Sequence, residues 1–266
     1  MVGREILVYL SIKYQGDWEK IYDAVKRREK IDIDEAKIKI QQVKSKYVTC
    51  IDDDYPKSFS QTYHPPFCLF YYGNLELLDE KKYQRLGVVG TRKPSNYGSE
   101  VTKFFCERLA SSFVIVSGLA AGIDAIALNT AIESGGSVVA ILGSGIENCY
   151  PKENISLYNS IRGSHLLISE YPLDTAPNSF QFPLRNRLIA SISNAILVTE
   201  AKARSGTLIT VGHALAIGRD IFCVPHRVGE SVSTNGLIRD GAFLAESPND
   251  ILKHFNFTVE SSGSES

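Results

Sequence analysis

The chain has 266 residues, 44% of them hydrophobic and 22% charged, with 29 lysines and arginines against 30 aspartates and glutamates. That composition belongs to an ordinary globular protein; no run reaches the roughly 18 apolar residues of a membrane span, and the N-terminus lacks a signal-peptide core, so a cytoplasmic protein is expected. A net charge of −1 excludes a broadly basic surface, so any binding of a polyanion must rest on positive charge gathered locally.

Residues 1–48 are expected to form a small helical accessory module. Asp17 is placed to cap a helix in which Trp18, Ile21, Tyr22 and Val25 recur at helical spacing. Ile6, Leu7 and Leu10, and then Ile38, Ile40 and Val43, mark two more helices. Lys26-Arg27-Arg28 reads as the solvated C-terminus of the capped helix, where cations are favoured by the dipole. Residues 49–84 form an extended segment packed on the core, with turn signals at Asp52-Asp53-Asp54-Tyr55-Pro56 and His64-Pro65-Pro66. Its single expected strand is Phe67 to Tyr72, ended by Gly73-Asn74.

From Arg85 the pattern turns regular. Short apolar runs at 86–89, 114–116, 138–142, 166–168, 196–198 and 221–224 alternate with segments of helical spacing. Continuous apolar strands alternating with helices define an α/β domain over 85–255: an extended, doubly wound, Rossmann-like fold whose sheet is mostly parallel and covered on both faces. The small polar residues of 256–266 are expected to be a disordered tail. The five cysteines are scattered and never in C-x-x-C spacing, which points to reduced thiols and to neither a metal site nor a disulfide framework.

Parallel strands bring the turns that follow them to one edge of the sheet, where such folds bind ligands. The turns are Gly90-Thr91-Arg92, Ser117 to Asp124, Gly143-Ser144-Gly145, Ser169-Glu170-Tyr171-Pro172 and Glu200 to Thr207. A dinucleotide fingerprint is incomplete, because Asn148 stands where Gly143-x-Gly145 needs its third glycine. No Walker pattern, zinc spacing or nucleophile elbow is present, and no cofactor is implied.

Anion binding is better supported. Ser117-Gly118-Leu119-Ala120-Ala121-Gly122-Ile123-Asp124 lies between a strand and a helix, an arrangement that aims backbone N–H groups and a positive helix end at one point. Two readings are open: a phosphate cradle, or a tight turn with Asp124 placed favourably in the first helical turn. Arg92 and Lys93 follow the first strand of the domain, and Lys202 and Arg204 follow the fifth. Arg185 and Arg187 open the helix leading into the fifth strand; they are either groove cations or interior bridges between loops. Phe180 and Phe182 beside them are either a stacking face or core.

These motifs, in this order, resemble the DprA/Smf family of DNA-processing proteins of natural transformation. The resemblance rests on Val89-Gly90-Thr91-Arg92, the Ser117–Asp124 turn, Gly143-x-Gly145 running to Tyr150-Pro151, and Ser169-Glu170-Tyr171-Pro172. It continues through Phe182-Pro183-x-Arg185-Asn186-Arg187, Ser205-Gly206-Thr207-Leu208-Ile209-Thr210 and Gly218-Arg219-Asp220, with Tyr55-Pro56, Pro65-Pro66 and Gly73-Asn74 upstream. It implies a cytoplasmic homodimer, not an enzyme, that binds and protects single-stranded DNA, displaces or bypasses single-strand-binding protein and loads RecA. Carried over by motif, Arg92 is a phosphate-binding arginine, and Ser117, Gly118, Leu119, Ala120 and Gly122 belong to the phosphate cradle. Phe182, Arg185, Lys202 and Ser205-Gly206-Thr207 line the same groove. The chain departs from the family at Ser179, where a basic residue is usual, and at His226, where a glycine is usual. No winged-helix module is expected after Phe257.

The competing reading is a nucleotide-processing phosphoribohydrolase of the Lys-decarboxylase-like fold, whose glycine-rich turn is similar to Ser205-Gly206-Thr207. The acid that such enzymes place three residues later is here Thr210, which leaves Glu170 and Glu200 as the substitutes.

Overall fold

A computed structural model describes residues 2–60, 62–203, 205–227 and 232–257. Helices α1 (Gly3–Lys13), α2 (Trp18–Lys26) and α3 (Ile33–Gln41) enclose a small core of Tyr9, Leu10, Ile21, Ala24 and Ala36. Asp17 caps α2 by accepting the Lys20 N–H at 3.2 Å, and Asp32 caps α3 in the same way. The buried face of α2 differs from the expected stripe. Ile21 and Ala24 point inward, whereas Tyr22 and Val25 are exposed. A nine-residue helix over so small a core buries one narrow face, and Tyr22 instead lies against Trp18.

Two strands, not one, precede the main domain. β1 (Lys46–Thr49) and β2 (Cys68–Gly73) pair antiparallel, with the short helix α4 (Lys57–Ser60) between them. The four residues of β1, Lys-Tyr-Val-Thr, carry too little apolar pattern to announce a strand, and the expected boundary at residue 48 falls inside it. The six strands expected from Arg85 onward are all present. They are β3 (Arg85–Val89), β4 (Val114–Ser117), β5 (Val138–Ile141), β6 (Leu166–Ser169), β7 (Ala195–Val198) and β8 (Asp220–Cys223). A two-residue β9 (Phe243–Leu244) adds to β8 in parallel. Among the described residues the sheet order is β1-β2-β6-β5-β4-β3-β7-β8-β9, parallel except where β2 meets β1 and β6.

Alternate strand residues feed two cores. Leu86, Val88, Ile115, Ala140, Leu167 and Leu197 face the layer of α5 (Asn96–Leu109), α6 (Ile123–Glu133) and α7 (Ile155–Ser164). Val89, Val116, Val139, Ile168, Ile196 and Val198 face α8 (Gln181–Ile192) and α9 (Gly206–Ala216). A sheet buried on both faces needs apolar residues at every position, which is why the strands read as unbroken runs. After β8 comes α10 (Val232–Arg239), and α11 (Pro248–His254), the last helix among the described residues, closes the first of these layers. The expected tail begins too early: Phe257 packs edge-on against Phe113 at 5.0 Å between ring centroids, and residues 258–266 lie outside the described residues. No helix among the described residues is long and apolar enough to cross a membrane.

The strand order positions the site. From β3 the chain steps through β4 and β5 to β6, then returns through α8 to place β7 on the other side of β3. A crevice opens where the winding reverses, above the C-terminal ends of β3 and β7.

One buried ion pair ties the N-terminal part to this frame. Arg187 on α8 meets Glu170 at 2.8 Å, with side-chain exposures of 2% and 7%. The same guanidinium donates to the carbonyls of Tyr63, His64 and Leu184 at 2.8, 2.7 and 3.0 Å. Of the two readings left open for Arg187, the interior bridge is the one realised. Arg187→Met leaves the Glu170 carboxylate buried and unpaired, and is expected to lower the unfolding free energy by about 3–5 kcal/mol. In urea unfolding, Arg187→Met combined with Glu170→Leu should lose less than Arg187→Met alone, because no charge is left without a partner. Equal losses would show that the pair itself is not what holds these loops.

Candidate nucleic-acid interface

A cleft of about 570 Å³ occupies the crevice between the ends of β3 and β7. Its floor and walls come from four places: the Gly90-Thr91-Arg92 turn, Ala120 and Asp124 after β4, the first turns of α8, and the start of α9. Tyr150 and Ser179 stand in its lining. Of the site residues expected from sequence, Arg92, Ala120, Phe182, Arg185, Lys202, Ser205, Gly206 and Thr207 line it, while Ser117, Gly118, Leu119 and Gly122 do not. Lys93 is exposed but stands outside this lining. Arg204 lies outside the described residues.

The turn after β4 is built inward. Ser117 is fully buried and donates its hydroxyl to the Val88 carbonyl at 2.6 Å. Leu119 is also fully buried and adopts the left-handed backbone region at φ 56°. The Asp124 carboxylate accepts the Gly118 N–H at 3.1 Å and the Ala120 N–H as well. Two of the N–H groups that the sequence offered to a phosphate, those of Gly118 and Ala120, are therefore taken by the chain's own carboxylate. The turn is closed by Asp124, as the second of the two readings has it, and Ala120 keeps its place in the cleft lining. Gly122, at φ 78°, caps α6 where a Cβ would run into the Thr91 and Arg92 backbone, so it seats the first turn against the second.

Arg185 faces this carboxylate from α8. Its guanidinium donates to the carbonyls of Gly118 and Ile141, and its Nε donates to Asn186 Oδ1 at 3.1 Å. Burial pushes the Arg185 guanidinium down to about 10 and pushes the Asp124 carboxyl up, each opposed by the attraction of the other. Arg185 therefore forms part of the cleft wall, while its Nη1 is committed to two backbone carbonyls and its Nε to the Asn186 side chain.

The cations left over are the exposed ones. Arg92 and Lys202 make no ion pair among the described residues. The Arg92 guanidinium lies 5.2 Å from the centroid of the Phe182 ring, a cation–π distance. Phe182 is half-buried and meets Tyr150 at 5.5 Å between centroids. Gly143 lies under that ring, where a Cβ would sit 2.7 Å from it. A Cβ on Gly145 would run into the backbone of residues 173–175. These two glycines make room for packing.

The start of α9 supplies the open anion-binding feature. Ser205 is its N-cap, and its Oγ is buried with no hydrogen-bond partner among the described residues. Gly206 and Thr207 N–H make no hydrogen bond among the described residues, and Asn186 Nδ2 fixes the turn by donating to the Gly206 carbonyl at 3.1 Å. N–H groups free of hydrogen bonds among the described residues, at a positive helix end in a cleft that Arg92 and Lys202 also line, present donors and positive charge suited to an anion. Sequence reasoning gave Tyr150 and Asn186 no role, although both stand inside motifs that carry the family resemblance.

The two carboxylates offered as catalytic substitutes are engaged elsewhere. Glu170 pairs with Arg187. Glu200 accepts from Ser95 N and Oγ at 3.0 and 2.8 Å, at the N-terminus of α5.

A family model described as "DNA recombination-mediator protein A" matches residues 46–256. The chain is 40% identical over 227 residues to the DNA processing protein DprA of Streptococcus pneumoniae, covering 85% of this chain and 79% of that one. It is 39% identical over 207 residues to the Protein Smf of Escherichia coli, covering 76% of this chain and only about half, 54%, of that protein. Its fold is similar to the crystal structure of the S. pneumoniae protein, with a TM-score of 0.80, 35% identity and 96% and 94% of the two chains covered. It is also similar to the DNA processing protein A of Helicobacter pylori, with a TM-score of 0.73, 28% identity and 80% and 97% covered. The description of that structure concerns the single-stranded DNA binding mode of the Helicobacter protein.

Asp124 gives this site a pH signature. Its carboxyl is raised above the ordinary 3.8 in the folded chain, so the native state holds that proton more tightly than the unfolded state. Its favourable contribution is complete below 3.8 and is lost as the pH climbs through the raised value. The stability difference between wild type and Asp124→Asn, which has no such proton, should therefore be most favourable to wild type in acid and shift toward the variant as pH rises. Denaturant unfolding across an acid-to-neutral series checks this; a difference that is flat or slopes the other way contradicts it.

Proposed function

The chain belongs to the DNA recombination-mediator protein A family, and from that premise we propose that it binds single-stranded DNA in the cleft above β3 and β7 and delivers it to RecA. The observation that carries this reading is the pair of exposed cations, Arg92 and Lys202, which make no ion pair among the described residues and line one cleft with the N-terminus of α9 and the Phe182 ring. Phosphates of one strand take the cations and the helix end. A base takes the half-exposed face of Phe182, with Tyr150 beside it. Backbone contacts and stacking are both indifferent to base identity, so binding is largely independent of sequence.

In this reading the protein acts by binding. It covers incoming strands, competes with single-strand-binding protein and passes the strand to RecA, in the cytoplasm and as a homodimer. The engagement of Glu170 by Arg187, and of Glu200 by Ser95, supports binding over nucleotide hydrolysis at this cleft. The single-strand binding described for the Helicobacter relative supports the choice of ligand.

Arg92→Ala and Lys202→Ala each remove an exposed cation that no interior contact requires. Fluorescence anisotropy of a labelled oligothymidine, titrated at several salt concentrations, should show weaker binding to every strand alike. The slope of log affinity against log salt should flatten by about 0.7 per lost phosphate contact. Duplex of the same length and free AMP should compete poorly. An unchanged slope in both variants, or effective competition by AMP, would overturn strand binding at this cleft.

A further inference from the structure

A second cavity, of about 290 Å³, lies on the other side of the segment that walls the cleft. Ser179, Phe182 and Pro183 face the cleft, whereas Phe180, Leu184 and Arg187 face the second cavity. Its opposite wall is Trp18 of the helical module together with Tyr63 and His64.

These rings form one continuous stack. Tyr22 lies on Trp18 at 5.1 Å and 9° between planes, Trp18 on His64 at 4.0 Å and 4°, and His64 on Tyr63 at 3.8 Å and 21°. The stack is held firmly from behind. The Trp18 indole N–H donates to the Pro65 carbonyl at 2.8 Å. The carbonyls of Tyr63 and His64 are gripped by the buried Arg187. His64 adopts the left-handed backbone region, at φ 50°, which turns its ring into the row. Yet the last ring of the row, Tyr63, is 66% exposed, and Phe180 on the facing wall is 60% exposed. Large aromatic rings left in water at the end of an ordered stack are not explained by packing of the helical module, which Trp18 and His64 already provide.

We propose that this cavity is a second subsite for the same strand, in which an unpaired base stacks on Tyr63 against Phe180 while the neighbouring phosphates remain in the cleft. The inference rests on strand binding at the cleft. Charge selects the base over the phosphate. The carboxylates around this cavity are Asp17, Glu19 and Glu170, and its one lining cation, Arg187, is already paired with Glu170. Asp17 is neutralised by Lys20 at 2.9 Å, and Glu19 faces His64 at 3.5 Å. A phosphate finds no free cation there, whereas a planar base finds two exposed rings. A strand that leaves the cleft past Ser179 meets Phe180 next in the chain.

The test compares oligothymidines from about four to about sixteen nucleotides, the range over which comparable strand-binding folds saturate. Wild type and the double variant Tyr63→Ala with Phe180→Ala are titrated against each length. Both side chains are mostly exposed, so the fold should survive, which circular dichroism and the unfolding midpoint verify. The double variant is expected to bind the shortest strand like wild type and the longer strands about tenfold more weakly, with an unchanged salt slope, since no phosphate contact is lost. Tyr63→Phe should bind like wild type, because stacking needs the ring and not the hydroxyl. Trp18, the only tryptophan in the sequence, should report occupancy by a change in emission with long strands and not with the shortest. Equal affinity of wild type and double variant at every length would overturn the subsite and leave the cleft standing. Equal weakening at every length would also overturn it, because the rings would then be serving the cleft itself. A wild-type protein that binds no strand would instead overturn the reading on which the subsite rests.

Discussion

The geometry of the cleft depends on a buried carboxylate. Asp124 sits beneath the turn that follows β4, accepts two of that turn's N–H groups and faces Arg185. Two charges withdrawn from water are costly unless other polar groups meet them, and here Arg185 donates to two carbonyls and to the Asn186 side chain. The consequences spread outward. Ile123 at the start of α6 donates to the Thr91 carbonyl at 3.1 Å, and Gly122 leaves no room for a side chain between that helix and the Thr91–Arg92 backbone. The position of Arg92 is thus dictated by a turn that Arg92 itself does not stabilise. Asn186, held by Arg185, in turn fixes the first residue of α9.

This arrangement divides the positive charge near the sheet edge into two kinds. Arg185 and Arg187 are buried; Arg185 holds two carbonyls and the Asn186 amide oxygen, and Arg187 holds three carbonyls and the Glu170 carboxylate, a task for which the planar guanidinium is suited. Arg92 and Lys202 are exposed and free of ion pairs among the described residues. The first pair makes the frame stiff, and the second is left for a ligand. Substituting a buried arginine therefore tests stability, while substituting an exposed one tests binding. The two experiments should not be read interchangeably even though all four residues belong to turns and helix starts near one edge of the sheet.

The fold was legible because its strands are buried on both faces, so every position carries an apolar residue and six short runs stand out. β1 and β9 were not legible. A four-residue edge strand and a two-residue addition depend on the neighbour they pair with, and that neighbour is distant in sequence. Within the site, the cationic turns and the start of α9 could be read from spacing alone. Which donors were already taken could not. Ser117 to Asp124 has the composition of a phosphate cradle, and only the fold brings the Asp124 carboxylate back onto the N–H groups six and four residues earlier. Glu170 and Arg187 are likewise an ordinary acid and an ordinary base in the sequence, and each becomes structural because the other is within 2.8 Å. The stack from Tyr22 to Tyr63 joins two segments more than forty residues apart, which no local pattern announces.

A net charge of −1 constrains how such a protein meets a polyanion. Its summed field offers little long-range attraction, and at physiological salt that field is screened within about 8 Å. Attraction must therefore arise locally, and Arg92, Lys202 and the α9 terminus all line one cleft. Short-range attraction also favours the flexible partner. A single strand bends its phosphates into a crevice and turns its bases onto aromatic faces, whereas a duplex keeps its bases stacked inward and presents phosphates on a rigid surface. On the proposed reading, a preference for single strands then follows from the cleft being recessed and aromatic.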